Sequence, residues 1–318
     1  MGSLGCSCWS LGSGAARRHR RAALEPSRGS ASTRVDVDII AVPYDSGHRD
    51  ARMGRGPGHL LASGIVEALE RSGASVRVTE VSLPENKFET EASSAFALQA
   101  MVADRVSKAR REGSLPIVLS GNCNTAVGTV AGITSSTGAV PAVCWLDAHA
   151  DFNTPDTTTS GFLDGMAVSM LTGRSWSAMT ATIPGFIPVD ESRILMIGVR
   201  DIDGLEKENL DASLVTRAPP DFNEGHLGIL ASLPESSLYL HVDLDVFDVT
   251  EGHANSYAVE GGLTRDGFLR LARVVASRRL LSGAALTAYD PSCDPDNRIA
   301  QLAIHIAVVL ATGAGLGS

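Results

Sequence analysis

From Val35 onward the chain alternates two apolar patterns. Short continuous hydrophobic runs, many of them β-branched, are separated by longer stretches in which apolar residues recur every three or four positions. The runs VDVDIIAVPY from Val35, Val76 to Val81, Leu115 to Leu119, Ala142 to Leu146, Arg193 to Val199, Leu238 to Phe247 and Ala284 to Tyr289 predict strands. The spacing predicts helices over Gly58 to Ser72, Glu91 to Glu112, Thr264 to Ser277 and Arg298 to Thr312, with a further helix-like segment before Leu238. Strands that lack polar alternation are buried on both faces, and their alternation with helices makes a mainly parallel sheet covered on both sides. The expected fold class is therefore α/β, a three-layer α/β/α arrangement. In such sheets ligands bind beyond the carboxyl ends of the strands.

The residues that follow the runs carry the candidate chemistry. The run Ala142 to Leu146 breaks into Asp147, His149 and Asp151, three ligand types two positions apart. In an extended segment such side chains point the same way, so the three groups converge. The run LYLHVDLDVF carries Asp243 and Asp245 on one face, with Asp248 just past it. A lone Asp at a strand end caps a helix or closes a turn. Five ligand-type residues on two buried strands are costly unless a cation sits among them, and a divalent metal is the natural candidate. His241 shares the face of Asp243 and Asp245, where it either supports the ligands or packs. After Leu119, SGNCNTAVGTVAGI reads as a tight strand-to-helix turn that sets Cys123 at the top of its strand.

Composition narrows the class. With 318 residues and 44% hydrophobic content the chain can bury a large core, and residues 35–318 are read as a single domain. No run of about 18 apolar residues occurs, so no membrane partner is expected. The five cysteines, at positions 6, 8, 123, 144 and 293, are odd in number and lack framework or zinc-finger spacing. That favours reduced thiols and a cytoplasmic setting. The net charge is −9, and residues 1–34 hold six arginines against Glu25 alone, so the remainder is more acidic still. No nucleic acid partner is expected for such a body.

Residues 1–34, rich in Gly, Ser, Ala and Arg, read as a disordered tail. An Arg-rich, acid-poor leader fits an organelle transit peptide; MGSLGC approaches a myristoylation signal but has Cys6 where Ser or Thr is wanted; an extension from an upstream start codon fits equally. A chain beginning near Val35 is expected to fold and bind metal like the full chain, and loss of soluble protein on truncation would show the tail to be structural.

SGNCN, DAHAD with FNTPDTTTSG, IGVRDID, HVDLDVFD with GGLT, and the opening MGRGP together resemble the ureohydrolases: arginase, agmatinase, formiminoglutamase and their relatives. The resemblance covers most of the chain from about residue 38. It implies an arginase-like fold, two manganese ions (other divalent metals also fit), a small-molecule guanidino substrate and a homo-oligomer, trimer or hexamer. It implies hydrolysis of a C–N bond to urea and an amine by water activated between the two metals. By resemblance Asp147, His149, Asp151, Asp243 and Asp245 match metal ligands, and Cys123 stands where the family's sixth ligand is a His. Cys123 is then either a softer thiolate ligand or a small buried hydrophobe beside a weakened site. Asp151 would pass a proton to the leaving amine. Asn153, Thr158, Ser160 and Asp203 match positions that hold the α-amino and α-carboxylate groups of an amino acid. Two departures bear on the substrate. Phe162 and Asp164 replace an Asn and a proton-shuttling His, so that Asp164 assists proton transfer or anchors a cation, and Ala288 replaces a Glu that meets the guanidinium. Two other readings stay open, a metal-dependent amidohydrolase or deacylase on the same fold and a catalytically degenerate metal-binding relative.

Overall fold

The computed structural model describes residues 34–84, 90–220, 233, 237–277 and 281–312; the tail expected over residues 1–34 lies outside these but for Arg34. Eight strands form one sheet: β1 (Asp36–Val42), β2 (Ser75–Glu80), β3 (Leu115–Ser120), β4 (Ala142–Leu146), β5 (Ile194–Ile197), β6 (Thr216–Ala218), β7 (Leu238–Asp243) and β8 (Leu281–Thr287). Their order is β2-β1-β3-β8-β7-β4-β5-β6, and every pairing is parallel. The chain builds outward from β1, crosses to β4, and only later returns to insert β7 and β8 in the gap. The four central strands therefore end side by side at a topological switch point.

Period-two alternation divides the core between the faces. In β4, Ala142, Cys144 and Leu146 face a cluster with Leu69, Phe268 and Leu302, whereas Val143 and Trp145 face one with Phe96, Val102 and Val130. Helices cover both sides, and the arginase-like three-layer expectation holds. The stretch expected as one helix over Gly58 to Ser72 is two, Gly56–Ala62 and Ile65–Arg71. Gly64 stands between them at φ +92°, a left-handed conformation that a helix interior does not accommodate. The short strand Thr216–Ala218 and the helix Ala167–Leu171 were not among the expected elements.

Candidate metal centre

The predicted ligands gather at the ends of the four central strands, by a different local geometry from the one expected. β4 stops at Leu146 and β7 at Asp243, so Asp147, His149 and Asp151 lie beyond their strand and Asp245 beyond its own. Each strand is instead closed by an aspartate that turns back on its own backbone. Asp147 Oδ1 accepts the His149 N–H at 2.8 Å, and Asp243 Oδ1 accepts the Asp245 N–H at 2.8 Å. These are Asx-type turns, in which a short carboxylate competes successfully with the sheet for the backbone. His149 regains a single parallel bridge to Asp201, and Asp151 takes φ +49°. The Asp151 carbonyl accepts the N–H groups of Val168 and Ser169, which holds that uncommon conformation at the start of the helix Ala167–Leu171.

Two ligand groups result, joined by Asp147. In the first, His149 Nδ1 lies 3.4 Å from Asp147 Oδ1 and 3.4 Å from Asp245 Oδ2. In the second, ligand atoms of Cys123, Asp147 and His241 all lie within 4.8 Å of one another. Cys123 Sγ also donates to Asp243 Oδ2 at 2.9 Å, which links the remaining predicted acid to the same cluster. Asp151 belongs to neither three-residue group, yet burial and then the charges of Asp147 and Asp164 raise its pKa, so it borders the cluster.

The electrostatics call for a cation. Burial pushes the Asp147 carboxyl up to about 6 against the pull of His149, and burial with Asp245 nearby raises Asp243 well above the carboxylate range. Burial opposes charge on Asp245 as well, but its pairing with His149 wins and holds it at about 2. His149 is disfavoured by burial and raised all the same to about 12 by the two carboxylates at its Nδ1. Nδ1 thus faces the two carboxylates with which it would share a divalent cation. Arg200, whose charge Asp245 and Asp147 feel, directs its guanidinium to the carbonyls of Gly198, Asp245, Val246, Val259 and Glu260. The carboxylate oxygens suit manganese, and the imidazole and thiol add softer elements.

The loop bearing Cys123 is fixed by its neighbours. A Cβ on Gly121 would lie 2.7 Å from the Gly54 nitrogen, with the Tyr44 carbonyl closer still, so only glycine lets the SGNCN turn pass beneath that loop. Gly121→Ala is expected to cost about 1 to 3 kcal/mol, read as a lower denaturant midpoint. Asp164 accepts from the Asn124 N–H at 2.7 Å and from Asn122 Nδ2 at 3.0 Å, and burial raises its pKa to about 7.

One cavity joins the cluster to the other predicted residues. Asn153, Thr158, Ser160, Asp164 and Asp203 line it together with His149, Asp243 and Asp245, while Cys123, Asp147 and Asp151 are buried and do not. Asn153 Nδ2 donates to Asp203 Oδ2 at 3.2 Å, so two predicted substrate contacts hold each other in place. Ala288 lines the cavity at φ +58°, and Phe162 stacks on Tyr257 with ring centroids 6.1 Å apart. Sequence reasoning missed Glu206 and Asn255. Buried Glu206 accepts the Phe152 N–H at 2.7 Å and the Asp203 N–H at 3.2 Å; Asn255 joins Asp245 Oδ2 at 3.3 Å to the Ala288 carbonyl at 2.8 Å. The Asp203 and Glu206 spacing at a helix start is a capping-box signal and was open to reading; Asn255 carried no local signal.

A parallel sheet with carboxylates, imidazole and thiol gathered at its switch point makes a candidate metal centre on an α/β fold. The chain belongs to the arginase family, hydrolases of C–N bonds in linear amidines: the pattern that defines the Arginase family matches residues 35–312. Among its relatives, the arginase of Eremothecium gossypii is 30% identical over 307 residues, 88% of this chain and 74% of that protein. Mitochondrial arginase-2 of Homo sapiens is 28% identical over 304 residues, 88% of this chain and 84% of that one. The crystal structure of arginase from Bacillus cereus superposes with a TM-score of 0.80 at 24% identity, over 89% of this chain and all of that one, which supports the fold.

Proposed function

We propose that the chain is a manganese-dependent ureohydrolase that cleaves an arginine-like guanidino compound to urea and an amine. The observation that carries this reading is the shared cavity, which lines up Asn153, Thr158, Ser160 and Asp203 with the ligand cluster at His149, Asp243 and Asp245. Asp147, His149, Asp151, Asp243, Asp245 and Cys123 would hold a pair of divalent ions, which would supply Lewis acidity and lower the pKa of a water. The chain's own residues do the rest. Asp203 and Asn153 hold the α-amino end of the substrate, and the hydroxyls of Thr158 and Ser160 meet its α-carboxylate. Asp151, raised by burial and by Asp147, takes the nucleophile's proton and hands it to the leaving amine. Asp164, at about 7, exchanges protons with solvent near neutral pH. Free Cys123, Cys144 and Cys293 accord with a cytoplasmic site, and the family resemblance with a trimer or hexamer.

Product release by the manganese-loaded chain, read as urea from arginine, agmatine, guanidinobutyrate, guanidinopropionate and Nω-hydroxyarginine and as formamide from formiminoglutamate, tests this. The expected result is turnover of the compounds bearing both α-groups, with Asp203→Ala raising KM more than it lowers kcat. Turnover confined to compounds without those groups, or no urea from any, overturns the reading.

A further inference from the structure

We propose that His241 is itself a metal ligand, and that with Cys123 it makes one half of the centre a thiol-imidazole site for a thiophilic divalent cation of the zinc or cobalt kind. The proposal rests on the reading of this cluster as a dinuclear metal centre and changes the composition of one half of it.

The imidazole is built in as a ligand would be. His241 lies on β7 with its ring fully buried, and Trp145 of β4 stacks on it in parallel at 3.5 Å with an interplanar angle of 3°. The Tyr239 oxygen lies 2.9 Å from Nδ1, the outer partner that a ligating imidazole requires for its remaining N–H. Nε2 is thereby turned toward β8, where Thr287 Oγ1 lies 3.2 Å from it and 3.2 Å from Cys123 Sγ. A ring nitrogen of His241, the Cys123 sulfur and an Asp147 oxygen all fall within 4.8 Å of one another. Trp145 Nε1 donates to Asp147 Oδ2 at 3.0 Å, so one indole aligns both the imidazole and the shared carboxylate. A cation among these atoms would draw on the Nε2 lone pair and leave the Thr287 hydroxyl to the Val242 carbonyl, 3.4 Å away.

The arrangement accounts for Cys123. The turn after β3 carries a thiol where the resembling enzymes carry an imidazole, and an imidazole arrives at the same spot from β7, two strands away in the sheet. The two halves then differ in softness. Cys123 and His241 offer sulfur and nitrogen with Asp147, whereas His149 and Asp245 with Asp147 offer mainly oxygen. Sulfur donors select zinc and cobalt over manganese, and carboxylate-rich sites accept manganese.

The test uses the full-length chain, stripped of metal and dialysed against equal concentrations of zinc and manganese. The expected content is one zinc and one manganese per chain, with zinc-edge X-ray absorption showing one sulfur at about 2.3 Å and nitrogen at about 2.0 to 2.1 Å. Cobalt in place of zinc should give a thiolate-to-metal charge-transfer band that Cys123→Ser abolishes. His241→Phe, which keeps a flat ring against Trp145, should retain that band and weaken zinc by well over the 10 to 100-fold that loss of a merely supporting residue costs. Two equivalent metals without a sulfur shell, or His241→Phe with wild-type zinc affinity, would overturn the proposal and leave the dinuclear centre standing. A wild-type chain that holds no divalent ion would sink both together. The wild-type spectra decide the matter even if the variant fails to fold.

Discussion

Asp147→Asn is expected to remove metal binding and turnover together, with urea release falling by a thousandfold or more. Asp147 is the residue common to both ligand groups, His149 with Asp245 on one side and Cys123 with His241 on the other. An amide in its place removes a charge from both at once. Activation of water and polarisation of the reacting carbon are worth several kcal/mol, and about 4 kcal/mol corresponds to the predicted thousandfold. The fold should survive, because the strand leading to Asp147 is secured by fully buried Val143, Trp145 and Leu146. Metal content and initial rates on the purified variant check this. A variant that retains both metals and more than a tenth of the activity would remove Asp147 from the centre.

Chelation should lower the melting temperature by about 10 °C relative to the manganese-loaded chain. The native fold holds Asp147, Asp151, Asp164 and Asp243 where burial opposes their charge, and His149 is the ion-pair partner of Asp147 and Asp245. Ions that bind this arrangement and not the unfolded chain stabilise it by about 4 kcal/mol at a thousand times Kd. For a chain of this size each kcal/mol moves the midpoint by about 2 to 4 °C. Calorimetry with and without manganese reads the shift directly. Coincident transitions would show that the acidic cluster folds without needing a cation. In Asp147→Asn the manganese-dependent shift should disappear while the metal-free transition stays close to that of the parent, which separates loss of the site from loss of the fold.

Much of the site was legible because its strands are apolar runs that end abruptly in charge. The runs Leu115 to Leu119 and Ala142 to Leu146 matched β3 and β4 closely, and Cys123 beyond the first and Asp147 beyond the second proved to be neighbours. The local geometry was misread. Alternation along a strand was expected to align Asp147, His149 and Asp151, whereas the aspartate side chains end each strand and turn the backbone. Pattern analysis treats a carboxylate as a polar position and does not see that it can take over the next N–H. The broken helix at Gly64 has a similar origin, since apolar spacing continued across a residue whose backbone reverses hand. The roles of Trp145, Thr287 and Asn255 depend on which strands lie side by side. The insertion of β7 and β8 between β3 and β4 creates those contacts, and no local signal in the sequence announces it.

Turnover should be strictly coupled to bound metal. Metal-free chain should be titrated with manganese while bound ion and urea release from arginine or Nω-hydroxyarginine are followed in the same samples. The predicted result is no measurable urea before metal is added and a rate that climbs to a plateau as the second equivalent binds. Urea release at well over a tenth of the full rate with less than about a tenth of an equivalent bound would contradict it, because so little metal could sustain at most a comparable fraction of a metal-dependent rate.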